Sequence, residues 1–259
     1  MYYIRKACII FSILTCLSVS LFAQVQVPET DNSWRGKAIS QIEKYYTDFL
    51  SEQSSLYNGP QYSGYNKPFQ SGQPYFLNDE YHTASVLYDH LWYHNVLIKY
   101  DLVRNKIAIK GPAGPQLLYT EKIESLSIEG HQFIQVQSEG GQNDIPETGL
   151  YELLFNYKQL VLLHKESKRI LDNLDVSSEL KQYIETEDNY YLKTRNGYYP
   201  VNKESQLLSV LKDNKTAIRQ FIRKSKLSFK KNKQQALLSV LTYYTSQVQN
   251  SSATNQLSE

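Results

Sequence analysis

The feature that most constrains the fold is a series of short β-branched and aromatic runs between about residues 83 and 201, each bounded by turn-forming residues. Such runs are typical of β-strands. A parallel crossover needs a dozen or more residues, so connections this short favour an antiparallel meander. The candidate strands are 83–88, 91–101, 106–110, 116–120, 123–128, 131–137, 149–155, 159–165, 189–194 and 198–201.

Helical periodicity flanks this region on both sides. Apolar side chains recur at three- and four-residue steps between Trp34 and Leu56, and again after Glu204. This spacing indicates an N-terminal amphipathic helix within 24–56 and two or three short helices within 203–248. We therefore expect an α+β fold: a mainly antiparallel curved sheet or partial barrel with an N-terminal helix and a basic C-terminal helical segment.

Three further segments lack a clear strand pattern. The gap at 171–184 is expected to hold one helix within the 57–202 body. KLSFKK, at 226–231, is predicted to interrupt the C-terminal helices as extended chain. The polar tail QNSSATNQLSE, at 249–259, is predicted to be disordered because it offers little apolar surface to bury.

The N terminus has the order of a secretory signal peptide. Arg5 and Lys6 precede an apolar run that ends in Leu-Phe-Ala-Gln, which predicts removal of 1–23 after Ala23. A membrane anchor is the alternative, but the run is shorter than the ~20 residues of a spanning helix. A lipoprotein cut at Cys16 is a minor alternative. We expect an exported protein that is periplasmic, outer-membrane-associated or extracellular.

Processing would also remove the cysteines Cys8 and Cys16, so the mature chain would have no thiol, disulfide or cysteine-bound metal. The charge would fall from 28 basic against 26 acidic residues to 26 against 26, because Arg5 and Lys6 leave with the signal. The mature protein would therefore be neutral overall.

Basic residues are nevertheless concentrated at 203–233, a segment that contains ten Lys and Arg and only two acidic residues, Glu204 and Asp213. This segment could meet anionic lipid headgroups, an acidic partner or nucleic acid. Nucleic acid is the least favoured for an exported chain with an acidic body. The alternative is a solvated face of helices whose apolar stripe packs on the sheet. That stripe would consist of Ile218, Phe221 and Ile222. The candidate partner-binding residues are Arg219, Arg223, Lys230 and Lys231.

An aromatic loop, YNGPQYSGYNKPFQSGQPYF, spans 57–76. Its glycines and prolines prevent regular structure, and aromatic residues are interleaved with them. The loop is either an ordered cover held by its aromatic side chains or a binding loop. In the second case Tyr62, Tyr65 and Phe69 are the candidate contact residues.

The stretch VLYDHLWYHNVLIKYDL, at 86–102, predicts a hairpin with Asp89 and His90 in its turn and Tyr88 opposite Leu91. The same register would pair His94 with Ser85 and His82 with Leu97. Alternation then places the two histidines on opposite faces, where they cannot share a metal ion.

Signatures of catalysis are missing from the sequence. Asp89 and Asp101 would lie roughly 30 Å apart along the ribbon, too far for a glycosidase pair. His131 and His164 stand alone on separate strands and are interpreted as structural. No nucleophile-elbow, zincin, phosphate-loop, dinucleotide or EF-hand motif is present. No catalytic, cofactor-binding or metal-ligating residue is assigned.

Six motifs follow one another: YNGPQYSGY, SVLYDHLWYHNVLIKYDLVRNKIAI, GLYELLFN, LVLLHKESKRI, NYYLKTRNGYYPV and LLSVLKDNKTAIRQFIRKSKLSFKKNKQQALLSVLTYY. In this succession, over about residues 57–248, the chain resembles an uncharacterised family of exported Bacteroidota proteins. That family shows a Tyr-Asp-Gly turn, a second Tyr-Asp and a basic stretch ending in a Tyr-Tyr helix, and His90 stands here in place of the glycine. The resemblance implies export and a β-rich body, and it implies no activity.

These features favour a non-enzymatic envelope protein that binds an envelope protein or an anionic or lipidic ligand, with peripheral membrane contact. One alternative is a lipid or lipoprotein carrier whose curved sheet forms an apolar trough. Another is a hydrolase of envelope sugars or peptides that brings carboxylates together from distant strands. Its candidate carboxylates are Asp89, Asp101, Glu124 and Glu152.

Overall fold

The computed structural model describes residues 35–42, 55–138, 146–174 and 180–256. The first described segment, 35–42, is a helix, α1, on which Ile39 and Ile42 are exposed. An N-terminal helix is thus confirmed. The predicted signal peptide, both cysteines and the other residues of 24–54 lie outside the described residues.

Ten strands form one open antiparallel sheet, which confirms the predicted fold class. They are β1 (His82–Tyr88), β2 (Leu91–Asp101), β3 (Lys106–Gly111), β4 (Gly114–Leu117), β5 (Ile123–Ile128), β6 (His131–Val136), β7 (Gly149–Tyr157), β8 (Leu160–Leu174), β9 (Leu180–Thr194) and β10 (Gly197–Pro200). Their spatial order is β10-β9-β8-β7-β6-β5-β1-β2-β3-β4. Two meanders, β1 to β4 and β5 to β10, therefore meet where β1 pairs with β5.

The helix predicted at 171–184 is wrong, because β8 and β9 pair continuously from Val161 opposite Lys193 to Leu174 opposite Leu180. Contacts far away in sequence favour this extension. The Ile184 N–H donates to the Ser71 carbonyl oxygen at 3.0 Å, so the aromatic loop provides a further hydrogen-bonding partner.

The predicted hairpin turn is confirmed. Asp89 and His90 both have positive φ, 52° and 66°, and Tyr88 lies opposite Leu91. Two consecutive left-handed residues define the tight turn whose twist matches that of the flanking strands. Aspartate and histidine tolerate this conformation better than most residues, which explains how the turn forms without glycine.

After the three residue pairs next to the turn, a β-bulge shifts the register between β1 and β2 by one residue. His82 therefore lies opposite Ile98 instead of the predicted Leu97. His94 is not a ladder partner of Ser85, although its Nδ1 lies 2.9 Å from the serine hydroxyl. His94 is exposed on the outer face and His82 is on the core side, so the two histidines do not converge.

Replacing His90 by glycine is expected to raise the free energy of unfolding by about 0.5–1 kcal/mol, because glycine adopts positive φ without a Cβ penalty. The contact between the His90 ring and Glu124 is exposed and contributes little. Thermal or urea unfolding measures the change. The same substitution at the exposed Lys110 of β3 should instead destabilise the protein, and stabilisation by both variants would contradict this interpretation of the turn.

The inner face of the sheet is filled by its own side chains. A continuous core joins strands β1, β2, β3, β5, β6 and β7, and its central members are fully buried. They include Val86, Ile98, Ile107, Ile109, Ile123 and Leu126. Burial of this apolar surface is the main stabilising contribution to this half of the fold.

The aromatic loop covers the β4 edge of the sheet. The Leu117 N–H donates to the Pro60 carbonyl oxygen at 2.8 Å, and the Tyr62 N–H donates to the Pro115 carbonyl oxygen at 2.9 Å. Gly59 makes this approach possible, since a Cβ there would lie 1.7 Å from the Leu117 oxygen. At the opposite edge, β10 ends in a proline, which limits strand addition.

Three helices pack on the β7 to β10 half: α2 (Glu204–Val210), α3 (Lys215–Lys224) and α4 (Lys233–Gln256). Ile218 and Ile222 are buried in a second core with the sheet residues Leu162 and Leu192, which confirms the predicted docking of this stripe. Phe221 is partly buried and stacks on Tyr243 at 4.2 Å.

Two boundaries in the C-terminal region differ from the prediction. The segment 226–231 contains turns at Lys226 and at 229–231 and no strand, and Lys226 has a φ of 51°. The last helix, α4, ends at Gln256 instead of near 248. No glycine or proline occurs between Lys233 and Gln256 to stop it.

Candidate functional site

The exposed basic side chains predicted as partner contacts lie on one segment of the chain. Arg219 and Arg223 are one turn apart on α3, and Lys230 and Lys231 follow in the turn before α4. The arginines face solvent because Ile218 and Ile222 bury the other face of the helix. Within the described residues, none of these four side chains forms an ion pair or a hydrogen bond.

Other cations extend this surface, and residues 214–232 contain no Asp or Glu. We define the basic surface as Lys215, Arg219, Arg223, Lys224, Lys226, Lys230 and Lys231, all of which are exposed. Lys233 does not belong to it, because its Nζ lies 3.3 Å from the Asp188 carbonyl oxygen and 5.3 Å from the centre of the Tyr190 ring.

The aromatic loop is held to the sheet by Asp101, the last residue of β2. The hydroxyls of Tyr62 and Tyr65 donate to its carboxylate at 2.9 Å, and the backbone N–H groups of Val103 and Arg104 donate to it at 3.1 and 2.9 Å. Asp101 is completely buried. Burial and the neighbouring carboxylate raise the pKa of both phenols, so the two hydroxyls remain donors.

These contacts favour the cover interpretation of the loop. Tyr62 is buried and is not presented to a partner. Tyr65 and Phe69 are half-buried and pack edge to face at 5.2 Å. Both line an open cleft of about 480 Å³ whose charged residues are Lys67 and Asp79.

An ionic network with a buried centre, Glu152 and His164, connects four adjacent strands, and the sequence did not predict it. Glu152 of β7 lies between two histidines: its Oε1 is 2.6 Å from the His131 Nδ1, and its Oε2 is 2.8 Å from the His164 Nδ1. The Nε2 of His164 lies 2.7 Å from Asp188 on β9. The Tyr190 ring stacks on His164 at 4.6 Å.

The two carboxylates determine the protonation of His164. Burial alone would lower its pKa, but hydrogen bonds to Asp188 and Glu152 outweigh that effect and raise the pKa to about 9. Burial would likewise raise the pKa of Glu152, whereas its hydrogen bonds to His164 and His131 lower it. The hydrogen bond to His164 lowers the pKa of Asp188. His164 is therefore an imidazolium at neutral pH, with both nitrogens donating to carboxylates.

The carboxylates considered for a hydrolase are engaged elsewhere. Asp89 pairs with Lys122 at 3.0 Å in the exposed hairpin turn, and Glu124 accepts the His90 N–H at 2.8 Å nearby. Asp101 holds the aromatic loop, and Glu152 lies between its two histidines. None of these carboxylates lines the aromatic-loop cleft.

Comparisons with known proteins leave the chain without an assigned relative: no family model, curated protein or solved structure matches it. Across the described ranges, no group of three or more His, Cys, Asp or Glu side chains is placed to hold a metal ion. In the same parts of the chain, no helix is both long and apolar enough to cross a membrane. The basic surface is thus the most distinctive exposed feature from which a function can be inferred.

Proposed function

We propose that this chain is an exported, non-enzymatic binding protein of the cell envelope that holds a polyanionic partner on its basic surface. The observation that carries the proposal is the set of seven exposed cations at 215–231 with no acid among them. Like charges held close together repel one another, so their clustering favours the approach of an anion. The partner would be an envelope component with closely spaced phosphates or carboxylates.

The two alternatives have less support in the structure. A carrier needs an apolar trough, whereas the inner face of the sheet is occupied by fully buried residues such as Ile98 and Ile107. A hydrolase needs two carboxylates in one cleft. The aromatic-loop cleft is lined by one carboxylate, that of Asp79.

Changing Arg219, Arg223, Lys230 and Lys231 together to Glu is expected to weaken polyanion binding by a hundredfold or more. A cation near an anionic surface contributes about 1 kcal/mol, and this change reverses four of them. The probe is immobilised heparin, scored by the salt concentration that elutes the mature chain. Pull-down from envelope extracts with the same variant then tests for a natural partner.

The matched control changes Lys67, Lys110, Lys158 and Lys193 to Glu. These lysines are exposed and lie outside the basic surface, so the net charge changes equally. The control should keep most of the binding. Equal losses in both variants would show that only net charge matters, and retention of wild-type elution by the first variant would disprove the proposal.

A further inference from the structure

A second cleft, of about 700 Å³, opens where two turns of the sheet meet the C-terminal helices. The turn between β7 and β8 contributes Gln159, and the turn between β9 and β10 contributes Arg195 and Asn196. The end of α2 and the 3₁₀ turn after it contribute the opposite wall. The volume falls within the ~300–1,000 Å³ range of small-molecule sites.

The charge in this cleft is positive. Arg195 and Lys212 line it, and Asp213 is the only carboxylate among its lining residues. The Nε of Arg195 donates to Gln159 Oε1 at 2.9 Å, which holds the guanidinium at the cleft. Neither Arg195 nor Lys212 forms an ion pair within the described residues. An acid group of a ligand would therefore meet two cations, one of them already positioned.

The remaining lining is a mixture of phenol rings, hydroxyls and amides above an apolar floor. Tyr199 is 36% exposed and Tyr244 is half-buried, so each presents part of a ring to the cleft. The Asn196 amide can donate and accept hydrogen bonds, and the Ser209 hydroxyl, which donates to the Gln206 carbonyl oxygen at 2.6 Å, can still accept one. Leu160 forms part of the floor, where it packs against the second core.

We propose that this cleft binds a small anionic saccharide, that is, a sugar acid or a sugar phosphate. Its acid group lies between Arg195 and Lys212, its ring packs on Tyr199, and its hydroxyls meet Ser209 and Asn196. Each requirement of such a ligand has a counterpart: cations for the acid, an aromatic side chain for the ring, and polar side chains for the hydroxyls. The site is separate from the basic surface and does not depend on the proposed function.

The test titrates the mature chain with glucuronic acid, glucose 6-phosphate, glucose and inorganic phosphate, and follows binding by calorimetry or amide chemical shifts. The two acidic sugars are expected to bind, and glucose and inorganic phosphate to bind at least tenfold more weakly. Failure of both acidic sugars to bind at millimolar concentration would overturn the proposal. Equal binding of inorganic phosphate and glucose 6-phosphate would also overturn it, because the sugar would then contribute nothing.

Variants locate the site. The double change Arg195→Gln and Lys212→Gln should weaken the acidic sugars at least tenfold, whereas Tyr199→Ala should weaken glucuronic acid and glucose 6-phosphate but not inorganic phosphate. Lys193→Gln, on the same hairpin but outside the cleft, should bind as the wild type does. If the double variant unfolds, Lys212→Gln alone is used instead, because Lys212 is exposed; it should also weaken binding of the acidic sugars. Unchanged affinity in the folded cleft variants would disprove the assignment.

Discussion

Replacing Asp101 by alanine is expected to lower the free energy of unfolding by about 3–5 kcal/mol, because several buried donors lose a charged acceptor at once and each unsatisfied donor costs about 1–3 kcal/mol. The carboxylate is fully buried and accepts hydrogen bonds from the hydroxyls of Tyr62 and Tyr65 and from the backbone of Val103 and Arg104. Its removal leaves all these donors without their acceptor in a site with little access to water.

The loss should be largest in the aromatic loop, because Asp101 is its principal polar anchor. Urea unfolding measures the change in stability, and limited proteolysis within 57–76 reports release of the loop. Asp101→Asn should have a smaller effect, since the side chain keeps its shape and one acceptor oxygen.

Asp79→Ala is the matched control for this prediction. Its carboxylate pairs with Lys99, but its side chain is 68% exposed, so the expected loss is below about 1 kcal/mol. Asp101→Ala with an equally small loss, and with the loop still resistant to protease, would show that the tyrosines do not depend on this carboxylate.

The local part of the fold could be predicted because its determinants are local. In 91–101, β-branched and aromatic residues follow a two-residue turn without a strand-breaking residue, and β2 has the predicted bounds. β5, which follows a 3₁₀ turn at Thr120–Lys122, also has its predicted bounds, 123–128. Turn chemistry and apolar alternation are both readable in a short window of sequence.

Long-range features could not be predicted in this way. Residues 166–172 are mostly polar and form a strand because β9 pairs with them. The aromatic loop in turn bonds to β9 at Gln182 and Ile184. The pairing of β1 with β5 depends on a return of the chain across three other strands, and no local pattern specifies it. The β-bulge that pairs His82 with Ile98 instead of Leu97 is likewise not indicated by the alternation of apolar and polar residues.

The ionic network shows the same limit. Glu152 and His164 are 12 residues apart, but the two-residue turn at 158–159 alone would place Glu152 opposite Lys165. A β-bulge between Leu153 and Phe155 brings it opposite His164, so no local pattern in the sequence indicated this pair. His131 and Asp188 are 21 and 24 residues from their partners and join only through two further strand registers. Four isolated residues therefore gave little indication of one shared site.

This network predicts that protein stability depends on the charge of His164. Its pKa is raised from 6.5 to about 9, so its contribution is fully present below about pH 6.5 and is lost as the pH rises through about 9. A shift of this size corresponds to about 3 kcal/mol. The pKa values of Glu152 and Asp188 are lowered, so their contributions are lost as the pH falls through their folded-state pKa values.

His164→Gln removes the group that titrates and keeps a side chain that can form hydrogen bonds. The variant therefore isolates the contribution of the His164 charge to stability. Lys165 titrates with the opposite sign over part of the same window, because burial lowers its pKa to about 8 and its charged form destabilises the fold. The informative quantity is therefore the difference in free energy of unfolding between wild type and variant, measured by urea denaturation across the pH range.

We expect His164→Gln to cost about 3 kcal/mol below pH 6.5, where the imidazolium balances two carboxylates, and the difference in free energy of unfolding from wild type to shrink steadily between about pH 6.5 and 9 and to be small above that. His94→Gln is the matched control, because His94 is exposed, stacks on Trp92 and contacts no carboxylate among the described residues. Its difference from wild type should be small at every pH. A His164→Gln difference that does not change with pH would mean that the histidine contributes packing alone and that its charge does not stabilise the fold.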